Sequence, residues 1–130
     1  MATAAELLRP FTNQPTVLLT TYRRNGLPVG TPVNIAVDGG RAFVRTYESS
    51  GKFKRLRNNP RVMVAPSTFR GEPTGPTLHA RARMLDPVEA TAASRQIAHK
   101  HPWIHGLVVP LLHRLTRKRT VYLELRPLDE

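Results

Sequence analysis

Glu48-Ser49-Ser50-Gly51-Lys52-Phe53-Lys54-Arg55-Leu56-Arg57-Asn58-Asn59-Pro60 places four cations in one short helix that opens directly off a strand. Ser49 or Ser50 can cap that helix by accepting a backbone N–H bond, Gly51 permits close approach to the backbone, and Asn58-Asn59-Pro60 ends it. The predicted helix runs roughly from Gly51 to Asn58. Isolated helices below about 12–15 residues are marginal in water. Phe53 and Leu56 must therefore anchor this one to a core, which leaves Lys52, Lys54, Arg55 and Arg57 for another task. Lys52 falls in the first turn, where the helix dipole favours acids, and no acid follows within the helix. A misplaced cation costs a few tenths of a kcal/mol, whereas a charge-assisted hydrogen bond to a phosphate returns about 1.5–3 kcal/mol. A basic run is most often a solvated face. Its position straight after a strand is what favours an anion grip here.

The segments on either side of this helix read as β. Upstream, Thr3 to Leu8 predicts a short first helix ended by Pro10. Thr16 to Tyr22 is β-branched and apolar, and Arg23-Arg24-Asn25-Gly26 closes it with an Asn-Gly hairpin signal. Val29 to Val37 returns as a second strand, with Pro32 where only an edge or a bulge tolerates it. Asp38-Gly39-Gly40 turns the chain into a third strand, Arg41 to Tyr47, with Ala42, Val44 and Thr46 on one face and Phe43, Arg45 and Tyr47 on the other. Downstream, Arg61 to Pro66 is a fourth strand and Ser67 to Pro76 a loop rich in Gly and Pro that carries Arg70.

A fifth strand sets Thr77, His79, Arg81 and Arg83 against Leu78, Ala80, Ala82 and Met84, the latter set directed at a core. Asp86-Pro87-Val88-Glu89 is a complete helix start: a capping acid, proline at the first position and a glutamate three residues after the cap. That helix is expected to reach about His99. A further helix, Trp103 to Leu115, has apolar residues at helical spacing and gathers His113, Arg114, Arg117 and Lys118 opposite them, a pattern that suits packing on the sheet, a partner subunit or a peripheral membrane contact. Arg119 to Arg126 is the sixth strand. The whole reads as one domain over residues 1–130, mainly β with helices (α+β), with six strands of which the first three form an antiparallel meander.

Composition limits the function classes. Cysteine is absent, which excludes a disulfide framework and a thiolate zinc site and agrees with a reducing cytoplasm. The stretch Met1 to Leu8 carries an acid and no long apolar run, so neither a signal peptide nor a membrane span is expected, and a soluble cytoplasmic protein is. Twenty Lys and Arg against nine Asp and Glu give a formal charge of +11, which points to anionic partners. Nucleic acid is disfavoured among them, because aromatics make up 6% of the chain and do not interleave with the basic residues.

Acid–base and metal enzymology fare poorly. His99, His101 and His105 are closely spaced, but no HExxH motif and few acids accompany them, so no metal site is expected. Ser49, Ser50, Ser67 and Ser94 lack a nucleophile-elbow context, and the acids are scattered on turns. A phosphate-bearing redox cofactor would account for an enzyme without catalytic acids, since such a cofactor carries the chemistry itself.

The order of motifs resembles the pyridoxamine-5′-phosphate-oxidase-like split β-barrel family, and within it the branch of oxidoreductases that use the deazaflavin coenzyme F420. The likeness rests on Asn25-Gly26-Leu27-Pro28, Gly30-Thr31-Pro32-Val33, Val44-Arg45-Thr46, Ser50 to Val62, Ala65-Pro66, Arg70-Gly71 and Thr74-Gly75, in that order, and covers about Thr16 to Met84 with the last strand also in place. The resemblance implies a homodimer of split barrels with cofactors at the subunit interface. It assigns the cofactor phosphate to Lys52, helped by Ser50, the Gly51 backbone and Arg55. Thr31, Pro32 and Val33 with Arg45 and Thr46 would line the ring, and Arg70, Thr74 and Gly75 would meet the ring or the acidic tail. Coenzyme F420 carries a phosphate and a glutamate tail, which suits +11 better than FMN does. The implied reaction is hydride transfer between the deazaflavin and an electron-poor small molecule such as an enone, quinone, nitro compound or tetrapyrrole. No side chain is identified as catalytic proton donor. The alternatives are an FMN enzyme of the same fold and a non-catalytic carrier of coenzyme F420.

Overall fold

A computed structural model describes residues 2–47, 51–100 and 120–128, at residues 47 and 51–53 the backbone alone. A first helix α1 (Ala4–Leu8) continues into a 3-10 turn (Arg9–Phe11). Strands β1 (Thr16–Tyr22), β2 (Pro28–Asp38) and β3 (Arg41–Tyr47) follow, then helix α2 (Gly51–Asn58) and strands β4 (Arg61–Pro66) and β5 (Leu78–Met84). Helix α3 (Pro87–Lys100) and strand β6 (Thr120–Pro127) complete the described elements. The strands close into an antiparallel barrel in the order β1-β2-β3-β6-β5-β4.

Strand alternation sorts the side chains. Val17 and Leu19 of β1, Ile35 of β2, Ala42 and Val44 of β3, Val62 and Val64 of β4, Ala80 and Ala82 of β5, and Leu123 and Leu125 of β6 form the barrel core. Leu8 and Phe11 enter from the N-terminal turn and Leu56 from α2, so each short helix is held by an apolar side chain rather than by its own hydrogen bonds. A second apolar layer lies outside the barrel. There Ala93 and Ile97 of α3 cover Ala36, Phe43, Leu85 and Tyr122. The face of β3 that carries Phe43 is thus buried in part, which alternation within a single strand does not reveal.

Local chemistry explains most element ends. Thr3 caps α1 by accepting the Glu6 N–H at 3.2 Å. Between β1 and β2, the Arg23 N–H reaches the Leu27 carbonyl at 2.9 Å and the Gly26 N–H reaches the Arg23 carbonyl at 2.8 Å, with Gly26 at φ 89°. The loop is therefore three residues, Arg24 to Gly26, a turn followed by a left-handed glycine rather than a two-residue Asn-Gly turn. Asp86 and Glu89 form the reciprocal capping box read from the sequence: the Glu89 N–H donates to Asp86 Oδ1 at 2.8 Å and the Asp86 N–H to Glu89 Oε1 at 3.4 Å.

Some expectations change. Met84, assigned to the core side of β5, is 41% exposed because it ends its strand at the barrel rim, where it borders a small hollow with Leu56, Arg57, Ala82 and Leu123. The second strand is longer than expected, Pro28 to Asp38. The helix expected from Trp103 to Leu115 and the side chain of Phe53 lie outside the described residues.

Candidate functional site

The ladder between β2 and β3 is incomplete and leaves a seam. Strand β2 is paired to β1 from Pro28 to Asn34, and to β3 only from Ile35 to Asp38. Continuing the β2–β3 register would set Asn34 opposite Arg45 and Val33 opposite Thr46, but the ladder stops at Ile35–Val44. The two strands diverge there. Pro32 falls within the stretch paired on one side only, the setting in which a strand tolerates a residue without an N–H. Alternate residues from Pro28 to Asn34 direct their backbone groups away from β1 and into this seam. Thr31, Pro32 and Val33 line one bank, and Arg45 and Thr46 stand on the other.

Parity sets what each contributes. Thr31 and Val33 pair with Leu19 and Val17, which are fully buried, so their side chains take the interior side of the sheet while Pro32 faces out and is exposed. Thr46 is buried at 3% exposure in line with Ala42 and Val44, and Arg45 is half-buried on the outer side, opposite Tyr122 of β6.

Helix α2 follows β3 and packs against β1 and β3. Leu56 reaches the core, which turns Arg55 toward the end of β1, where its Nε donates to Thr21 Oγ1 at 2.5 Å. Thr21 is itself fully buried, so this bond fixes the guanidinium at the barrel rim. Burial first, and then the nearby charge of Arg23, lower the Arg55 pKa below its ordinary value, and no acid among the described residues offsets them. Two cations thus stand together at the rim. Thr21 lies two residues along β1 from Leu19, the partner of Thr31, a distance of about 7 Å along the strand. The rim and the seam are therefore neighbours.

The remaining expected residues divide. Gly51 and Lys52 form the first turn of α2, so their backbone is placed beside Arg55; the Lys52 side chain and all of Ser50 lie outside the described residues. Loop 67–77 folds back on β1 and β2: Gly71, at a φ of 90° that favours glycine, rests against Pro32, where an added Cβ would lie in ordinary contact, 3.5 Å from Pro32 Cδ. Arg70 is carried to that surface, where its guanidinium sits 5.6 Å above the ring of Phe69, and both residues are exposed. Thr74 donates its N–H to the Pro66 carbonyl at 2.7 Å, and Gly75 packs on the Pro66 ring. Pro66 belongs to β4, so β1 and β2 separate Thr74 and Gly75 from Arg45 and Thr46. These two are not brought to the seam. Thr21 and Arg23 belong to the site by geometry although the sequence did not single them out; a threonine in an alternating, otherwise apolar strand and a cation before the turn were the available signals.

Among the described residues no group of three His, Asp or Glu is close enough to hold a metal ion, and no helix is long and apolar enough to cross a membrane.

The profile of the family described as pyridoxamine 5′-phosphate oxidase matches residues 3–123. No protein of curated function matches the chain. Among solved structures, an FAD-binding protein from Mesorhizobium loti superposes with a TM-score of 0.69 at 15% identity, over 98% of this chain and 91% of that one. A heme-storage protein from Vibrio cholerae gives 0.65 at 16% identity, over 99% and 93%. An F420 reductase gives 0.63 at 19% identity, over 92% of each chain. At such identities the likeness speaks for the fold.

Proposed function

Because the chain belongs to the pyridoxamine 5′-phosphate oxidase family, we propose that it is an oxidoreductase with a phosphate-bearing flavin-type cofactor, and that the cofactor is coenzyme F420. The observation that carries this reading is the cation pair at the rim. Arg55, fixed by Thr21 beside Arg23 with no acid near it among the described residues, is a preformed place for a phosphate. The adjoining seam offers what a flat heteroaromatic ring needs: a strand edge whose backbone groups have no strand partner among the described residues on one bank, and Arg45 with Thr46 on the other.

When bound, the deazaflavin supplies reversible hydride transfer to an electron-poor organic molecule such as an enone, quinone, nitro compound or tetrapyrrole. The chain's own part is to bind and orient. Arg55, with Lys52 and Ser50 as the sequence leads one to expect, holds the phosphate. Thr31, Pro32, Val33, Arg45 and Thr46 set the ring plane, and Arg70 stands where it can meet an acidic tail or the substrate. The side chain of Thr31 is a neutral hydroxyl on the bank, and no side chain is assigned as proton donor. A homodimer belongs to the proposal. Among the described residues the seam has no cover on its outer side, and a second copy would supply it.

The test is a fluorescence titration of the protein with oxidised coenzyme F420, run beside FMN in the same salt. The deazaflavin is expected to bind more tightly, and Arg55→Ala or Lys52→Ala to weaken it by about 1.5–3 kcal/mol, roughly 10- to 150-fold, in a folded protein. Tighter binding of FMN would move the reaction to flavin chemistry on the same site. Unchanged affinity in both folded variants would remove the phosphate assignment.

A further inference from the structure

The outer face of β4, β5 and β6 lies across the barrel from the seam, since β5 is three strands from β2 in either direction round the ring. On it, Arg61 of β4 pairs in register with Arg81 of β5, and Arg81 with Arg126 of β6. Three arginines therefore stand in one row across three strands, all exposed. Like charges directly opposite one another destabilise a sheet, and this row contains two such pairs in succession.

The acids nearby are already engaged. Glu124, at 2% exposure, accepts from Arg41 Nη1 at 3.1 Å, Arg126 Nε at 2.9 Å and Arg83 Nε at 3.4 Å. Burial alone would raise its pKa, but the three guanidinium groups outweigh it and hold the carboxyl below the ordinary range. Arg83 spends its other two nitrogens on Glu89, at 3.0 and 2.7 Å. Among the described residues Arg126 bonds an acid only through Nε, and Arg61 and Arg81 have no acidic partner. Beside the row is a hollow of about 360 Å³ lined by Pro60, Arg81, Ala82, Arg83, Glu124 and Arg126. Its floor is rigid, because Glu124 is fixed by three bonds and the Ala82 N–H donates to the Pro60 carbonyl at 2.8 Å.

We propose that this hollow is a second anion site, separate from the seam, for a compact polyanion of the diphosphate or tricarboxylate kind. Neighbouring arginines of the row start from strands about one spacing, 5 Å, apart, an arrangement that suits two or more charges on one small molecule better than a single one. Glu124 is not the ligand's competitor: it neutralises part of the cluster and aims Arg126, while Arg61 and Arg81 supply the unbalanced charge.

The site is tested by calorimetric titration with pyrophosphate, citrate and orthophosphate at matched low ionic strength. The Arg55→Ala background removes the rim site from the reading. Pyrophosphate or citrate is expected to bind one site per chain at least tenfold more tightly than orthophosphate, and whichever wins identifies the source class. Adding Arg81→Gln should weaken binding at least tenfold and raise the melting temperature of the ligand-free protein, because the row loses its central charge. Arg61→Gln should act in the same direction and serves if the Arg81 variant does not fold. Equal binding with and without the substitution, no preference over orthophosphate, or a lower ligand-free melting temperature in both variants would each overturn the proposal.

Discussion

At the scale of single residues, Lys100 shows how position overrides type. It ends α3, is half-buried, and donates from Nζ to the Phe11 and Gln14 carbonyls at 3.3 and 2.8 Å. Burial lowers its pKa from 10.5 to about 8. The unfolded chain therefore binds this proton more tightly than the folded one between those values, so the group adds stability as pH rises from about 8 to 10.5 and nothing further below 8. Wild type should gain on Lys100→Met across that interval in urea unfolding midpoints. Parallel pH curves for the two proteins would refute it. Arg55 makes the complementary point. Its place in a basic helix was evident from the sequence, but its bond to Thr21 spans 34 positions of chain, and no local pattern specifies such a partner.

At the scale of elements, the start of α3 is the part most completely written in the sequence, because capping is a contact between neighbours. Asp86→Ala should cost about 1 kcal/mol of stability, measured by chemical denaturation. Glu89 has a second role that the local pattern leaves out. Arg83 of β5 grips it with two bonds and ties the helix to the sheet, and this, ahead of the Asp86 N–H, lowers its pKa to about 2. With the folded value below the ordinary 4.5, its contribution is complete above about pH 4.5 and fades as pH falls toward 2. The melting-temperature gap between wild type and Glu89→Gln should be constant from pH 5 upward and shrink in acid. A gap that widens in acid would contradict the assignment. Helix α2 was equally legible in extent, Gly51 to Asn58, because its glycine start and Asn-Asn-Pro stop are local signals.

At the scale of the molecule, closure of six strands leaves the β2 edge from Pro28 to Asn34 without a second strand partner among the described residues, and an open strand edge favours a covering partner. Phe69, 76% exposed on the adjoining loop, adds apolar surface to that flank. Light scattering should therefore report twice the 14.6 kDa mass of the chain. A mass of one chain at micromolar concentration would exclude the proposed dimer. The sequence by itself determined the strands, their order along the chain, the cap and turn residues and the basic helix, because period, capping and charge act over a few residues. Which strand pairs stop short, that Thr21 holds Arg55, that Thr74 and Gly75 stand apart from the seam, and that Arg61, Arg81 and Arg126 align in one row were decided only by barrel closure. Those relations depend on register between segments far apart in the chain, as Arg81 with Arg126, and register is set by packing the whole core at once.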